Sequence, residues 1–134
     1  MRLFLDANVL FTAAHNPRGK AALVIELSRQ GHWEISSSAY AIEEARRNLE
    51  RKLPEFVRNL DVFSDVLQIA PHAVGLEFPH WLPTKDQPIF RAAVTCRATH
   101  LLTGDLNDFG AFMNQPEKTS GIRIQTVASF LDRL

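Results

Sequence analysis

A single cysteine, Cys96, among 134 residues has no partner for an internal disulfide. That removes the small disulfide-framed secreted domains from consideration and implies a reduced, buried thiol within an apolar helical pattern. No apolar run approaches the roughly 20 residues of a membrane-spanning helix. The short apolar stretch after Arg2 is broken by Asp6 and Asn8, which is too soon for a secretion leader. An excess of one charge is also missing, since 15 basic residues balance 15 acidic ones for a net charge of zero. This argues against coating nucleic acid through bulk charge but leaves room for a local grip on a short stretch. The five histidines, at 15, 32, 72, 80 and 100, show no zinc-ligand spacing. These absences imply a cytoplasmic protein with no membrane segment.

What remains is an ordinary globular composition, 46% hydrophobic and 22% charged, in a length that suits one domain over residues 1–134. Strand patterns at 2–5, 33–36, 100–103 and 122–125 alternate with helical patterns. The helices are predicted over 9–14, 21–30, a stretch carrying Ala41, Ala45, Leu49 and Leu53, and one from Pro54 with Phe56, Val57, Leu60, Phe63 and Leu67 on one face. Two more are expected from near Asp86 and after Thr126, and residues 71–83 read as an irregular, proline-rich connection. Alternation of this kind predicts an α/β fold, with helices on both faces of a central, mainly parallel sheet. Ligands in such sheets bind at the carboxyl ends of the strands.

Asp6 in Leu5-Asp6-Ala7-Asn8 and Asp105 in Thr103-Gly104-Asp105 both stand at such ends. Asp86 opens a helix before Pro88, Glu44 lies inside a charged helix, and Asp108 follows shortly after Asp105. Each has a plain structural explanation. Asp6 and Asp86 can cap helices, Asp105 and Asp108 can stabilise a turn, and a helical glutamate is most often solvated. A common site that needs hard oxygen ligands explains all of them together, and Mg²⁺ or Mn²⁺ fits that donor set better than zinc does.

From Leu5-Asp6-Ala7-Asn8-Val9-Leu10 through Thr103-Gly104-Asp105, the chain resembles the PIN-domain nucleases across nearly its whole length. The matching motifs are Asp6 with Asn8, Glu44 ahead of Ala45-Arg46-Arg47, Asp86, and Thr103 with Asp105. The resemblance implies a compact three-layer α/β/α fold and a metal-dependent ribonuclease whose ligands are Asp6, Glu44, Asp86 and Asp105, with Asp108 beside them. Many small members are toxins of toxin–antitoxin pairs, similar to VapC, and many are homodimers. An RNA substrate, a cognate antitoxin and a homodimer are therefore the expected partners. Glu43 competes with Glu44 for one ligand position, and Asp108 with Asp105 for another.

Asn8 is expected to orient Asp6 or a water, and Thr103 to orient Asp105 or a ligand water. Arg18, Lys20, Arg46, Arg47 and Lys85 neighbour these motifs and are candidates to hold RNA phosphates. Whether one ion or two would bind is left open by the motifs. Phosphatases of the haloacid dehalogenase type also place an aspartate after the first strand, but need a second aspartate where this chain has Asn8. The alternative outside enzymology is a catalytically silent PIN-like module that binds RNA or protein.

Overall fold

The computed structural model describes residues 1–71 and 81–134. Five short strands form one sheet: β1 (Arg2–Leu5), β2 (Glu34–Ser37), β3 (Leu67–Ile69), β4 (His100–Leu102) and β5 (Arg123–Gln125). Their order is β3-β2-β1-β4-β5, and every neighbouring pair is parallel. The flanking helices are α1 (Ala7–His15), α2 (Lys20–Arg29), α3 (Ala39–Lys52), α4 (Val57–Val62), α5 (Gln87–Thr95), α6 (Leu106–Phe109) and α7 (Val127–Asp132). This is the three-layer α/β/α arrangement expected from the alternation of strand and helix patterns. None of the described helices is long and apolar enough to cross a membrane.

The strands show why the sheet lies in the middle. Leu3, Phe4 and Leu5 are successive and all fully buried, as are Leu101 and Leu102. Successive side chains of a strand point to opposite faces, so both faces of β1 and β4 must be covered. Local signals then cut the helices to length. The Ser38 hydroxyl accepts from the Ala41 N–H and caps α3, while the Thr126 hydroxyl accepts from Ser129 and caps α7. Gly31, with φ of +88°, turns the chain after α2 in a conformation that strains other residues.

Two expectations need correction. The apolar face running from Pro54 to Leu67 predicts one helix, whereas the chain makes a tight turn over Pro54–Phe56, then α4, another turn over Phe63–Asp65, and finally β3. Leu67 keeps helical spacing from Leu60 and Phe63, but pairing with Ile35 draws it into the sheet. A short apolar run carries no period long enough to separate the two outcomes. Cys96 is half-buried rather than buried, at the end of α5, where its thiol lies 3.4 Å from the Ala93 carbonyl and 3.3 Å from the Ser36 hydroxyl. The predicted proline-rich connection, with His72 and His80, lies mostly outside the described residues.

The strand order sets the functional geography. From β1 the chain runs to β2 and then β3 on one side, and later crosses to β4 and β5 on the other. The switch point is therefore the crevice beyond the carboxyl ends of β1 and β4. Removing the cap of α3 tests the local account of how a long helix is set against this crevice. Ser38→Ala is expected to lower the unfolding free energy by about 1 kcal/mol in urea titration, with an unchanged slope on denaturant.

Candidate metal centre

Parallel strands in register end at the same level, which decides what meets at the switch point. Leu5 pairs with Leu102, so the next residues, Asp6 and Thr103, stand side by side. The backbone carries the register one step further, with the Asp6 N–H donating to the Leu102 carbonyl at 3.0 Å. Both side chains are buried. The Thr103 hydroxyl donates to Asp6 Oδ2 at 2.8 Å, and the Ala7 N–H donates to Asp6 Oδ1 at 2.7 Å. Asp6 therefore caps α1 and faces the crevice at once.

Asn8, in the first turn of α1, ties the two strand ends together. Its Nδ2 donates to Asp6 Oδ2 and to Thr103 Oγ1, each at 3.3 Å. Its Oδ1 accepts from the Gly104 N–H at 2.6 Å. Thr103 Oγ1 also accepts from the Asp105 N–H at 3.1 Å, so one hydroxyl orients both aspartates. A Cβ on residue 104 would lie 3.2 Å from Asn8 Oδ1, so glycine suits the close approach of the turn.

Asp105 Oδ1 accepts from the Asp108 N–H and caps α6. Asp86 stands at the start of α5 but makes no side-chain cap hydrogen bond. Its carboxylate is instead buried, and Oδ2 has no hydrogen-bond partner among the described residues. Asp86, Asp105 and Asp108 each offer an oxygen, all within 4.8 Å of one another. Lys85 Nζ lies 3.1 Å from Asp108 Oδ2, near enough for an ion pair, although that oxygen too lacks an aligned hydrogen bond.

Glu44 comes from α3 and joins Asp6, Asp86 and Asp105 in lining one cleft of about 250 Å³. Glu43 is exposed on the same helix, and its carboxylate lies 3.7 Å from Arg47. A larger cavity, about 500 Å³, lies between α2 and α4. Its one carboxylate, Glu26, already pairs with Arg29 at 3.4 Å, so donor chemistry rather than size selects the smaller cleft.

The basic residues named from the sequence are dispersed. Lys85 lines the acidic cleft, whereas Arg18 and Lys20 line the larger cavity. Arg46 pairs with Asp61 of α4 at 2.7 Å. Phe11, Asn48, Lys52 and Ile89 also line the cleft and were not singled out from the sequence. Asn48 and Lys52 follow Glu44 at four-residue steps, the spacing that could have found them.

Electrostatics and donor chemistry both fit a bound divalent cation. Burial pushes the Asp6 carboxyl up from its ordinary value, against the hydrogen bonds from Thr103 and Ala7, and the charges of Glu44 and Asp105 add to the rise. Asp86 is pushed up to about 7, first by burial and then by Asp108 and Asp105. Asp108 moves the other way, held down by its contacts with Asp86 and Lys85. The Asp86 and Asp108 carboxyls are thus pushed in opposite directions by their proximity. The carboxylates supply oxygen donors, and Asp86 Oδ2 and Asp108 Oδ2 are buried without a hydrogen-bond partner among the described residues. That set suits Mg²⁺ or Mn²⁺.

No family model and no curated protein matches this chain. Solved structures do match in fold. A chain of the VapBC2 structure from Rickettsia felis, bound to a DNA fragment from its promoter, aligns with a TM-score of 0.65 at 16% identity. That alignment covers 94% of this chain and 98% of the other. A chain of VapBC-1 from nontypeable Haemophilus influenzae aligns with a TM-score of 0.57 at 13% identity, covering 96% and 99%. At these identities the likeness establishes the fold.

The raised carboxyls give a pH dependence of definite sign. Between about 4 and 7, metal-free folded protein holds a proton on Asp86 that the unfolded chain has released. Its stability is therefore expected to fall as pH rises through that window, and Asp86→Asn should flatten the fall. Mn²⁺ should stabilise the protein most above pH 7, where the competing proton has left. Denaturant titration from pH 4 to 8, with and without Mn²⁺, measures both effects.

Proposed function

We propose that this protein is a divalent-metal-dependent ribonuclease of the PIN type, serving as the toxin of a toxin–antitoxin pair in the cytoplasm. The observation that carries the proposal is the convergence of Asp6, Glu44, Asp86 and Asp105 on one cleft at the carboxyl ends of β1 and β4. A binding module gains nothing from so much mutual repulsion, which argues against a catalytically silent role. The ordered motifs of the sequence and the shared fold with chains of VapBC complexes support the family reading. By the same reasoning the expected partners are an RNA substrate, an antitoxin and a second copy of the chain.

In this reading Asp6, Glu44, Asp86 and Asp105 hold Mg²⁺ or Mn²⁺, with Asp108 beside Asp86 and Asp105. These residues would hold the cation, and the chemistry it would supply there is neutralisation of charge at the phosphate and activation of a water. The chain's own contribution is orientation. Thr103 and Asn8 fix the Asp6 carboxylate, and Thr103 fixes the backbone from which Asp105 projects. Such supporting hydrogen bonds set the direction of ligand oxygens before any ion arrives. Lys85 lines the cleft with its ammonium paired to Asp108, and is kept as a candidate for holding a phosphate oxygen. Arg18, Lys20, Arg46 and Arg47 are kept as more distant candidates for the same task.

Incubation with structured and single-stranded RNAs tests the proposal. Cleavage should require Mn²⁺ or Mg²⁺ and stop with EDTA. Asp6→Asn and Asp105→Asn should each lower the rate by at least about 100-fold. Absence of both metal binding and cleavage in the unaltered protein would overturn the enzyme assignment.

A further inference from the structure

The acidic cleft has a second wall whose chemistry the carboxylates do not explain. Glu44, Asn48 and Lys52 recur every fourth residue on α3 and line the cleft together. From Glu44 to Lys52 the wall runs about 12 Å along the helix axis. At its outer end Lys52 Nζ stands over the ring of Phe11, 5.9 Å from the centroid, within reach of a cation–π attraction. The half-buried Phe11 ring faces the His15 imidazole at 5.1 Å, and His15 Nδ1 lies 3.1 Å from the Phe11 carbonyl. The aromatic pair gives the flexible lysine a defined position at the mouth of the cleft.

Charge pairing then separates Lys52 from Lys85, the other cation on the cleft wall. Among the described residues two line the cleft, Lys52 and Lys85, and Lys85 is already paired with Asp108. Arg46 is taken up by Asp61 and Arg29 by Asp65. Among the described residues no carboxylate pairs with Lys52. Its position in the last turn of α3 favours the helix dipole, but Arg51 shares that turn and does not line the cleft. In a protein with no net charge, a polyanion meets no bulk attraction. An unpaired cation at the edge of a carboxylate cluster is where such a strand would be gripped.

The geometry points to Lys52 as an anchor for a backbone phosphate of the RNA strand flanking the bond to be cut. Phe11 is its positioning residue, and Asn48, whose Oδ1 already accepts from Arg51 at 2.9 Å, offers its Nδ2 to the sugar–phosphate in between. This assignment rests on the nuclease reading and names the direction in which the substrate leaves the cleft, along α3 toward its carboxyl end.

The test is binding of a fluorescein-labelled single-stranded RNA by anisotropy, from 50 to 200 mM salt, with Ca²⁺ replacing the catalytic ion. Each phosphate neutralised on a single strand contributes about 0.7 to the slope of log affinity against log salt. Lys52→Met should reduce the slope by about that amount and weaken low-salt binding roughly three- to tenfold. Lys52→Arg should restore both, and Phe11→Leu should reproduce part of the loss because it frees the lysine. A merely structural role for the exposed Lys52 would leave the salt slope untouched. If the unaltered protein binds and cleaves RNA while Lys52→Met keeps the same slope and affinity, the anchor is overturned and the nuclease reading stands. If the unaltered protein neither binds nor cleaves RNA, both fall together.

Discussion

One hydroxyl group organises the centre of this molecule. Thr103 Oγ1 donates to Asp6 and accepts from the Asp105 N–H, with the Asn8 amide donating to it from the side. These residues are nearly a hundred positions apart in the chain and adjacent in space because β1 and β4 are parallel and in register. A hydrogen bond to a charged group contributes roughly 1.5–3 kcal/mol, more than most single polar contacts. The contact between Thr103 and Asp6 therefore both joins two strand ends and fixes the direction of a carboxylate oxygen at the cleft. Asn8 extends the connection to Gly104, so that the turn carrying Asp105 is tied to the first turn of α1.

The rest of the site depends on that connection being rigid, because what it assembles is self-repelling. Asp6 and Asp86 are both buried, and their carboxyls are driven toward the protonated form by desolvation and by neighbouring charge. Buried, unpaired carboxylates destabilise a fold unless something neutralises them. Here the surrounding sheet is apolar on both faces and anchors the strands from which Asp6 and Asp105 follow. The stable part of the molecule holds the unstable part in place. A cation bound among them would reverse the balance by turning repulsion among oxygens into a shared attraction.

Much of this was legible from residue order. The apolar runs of β1 and β4 marked buried parallel strands, and the polar residues directly after them marked their carboxyl ends. Asp86 was harder, since an aspartate before a proline at a helix start is ordinarily a cap; only the absence of a cap hydrogen bond shows that its carboxylate points elsewhere. Residue order leaves Glu43 and Glu44 in competition, and it is Glu44 that lines the cleft. β3 leaves no clear signal because three residues carry too little periodicity and their pairing partners lie 32 positions earlier. The roles of Phe11 and Lys52 were hidden for a related reason, since a contact between α1 and α3 leaves no local trace in either helix.

The central claim is that these side chains form one cation site at the switch point of the sheet. A crystal grown with Mn²⁺, with diffraction recorded at a wavelength where manganese scatters anomalously, tests it most directly. The account predicts an anomalous peak inside the cleft, in contact with carboxylate oxygens of Asp86 and Asp105 and facing Asp6. A fully formed cleft with no peak at millimolar Mn²⁺, or peaks confined to surface carboxylates elsewhere, would contradict it.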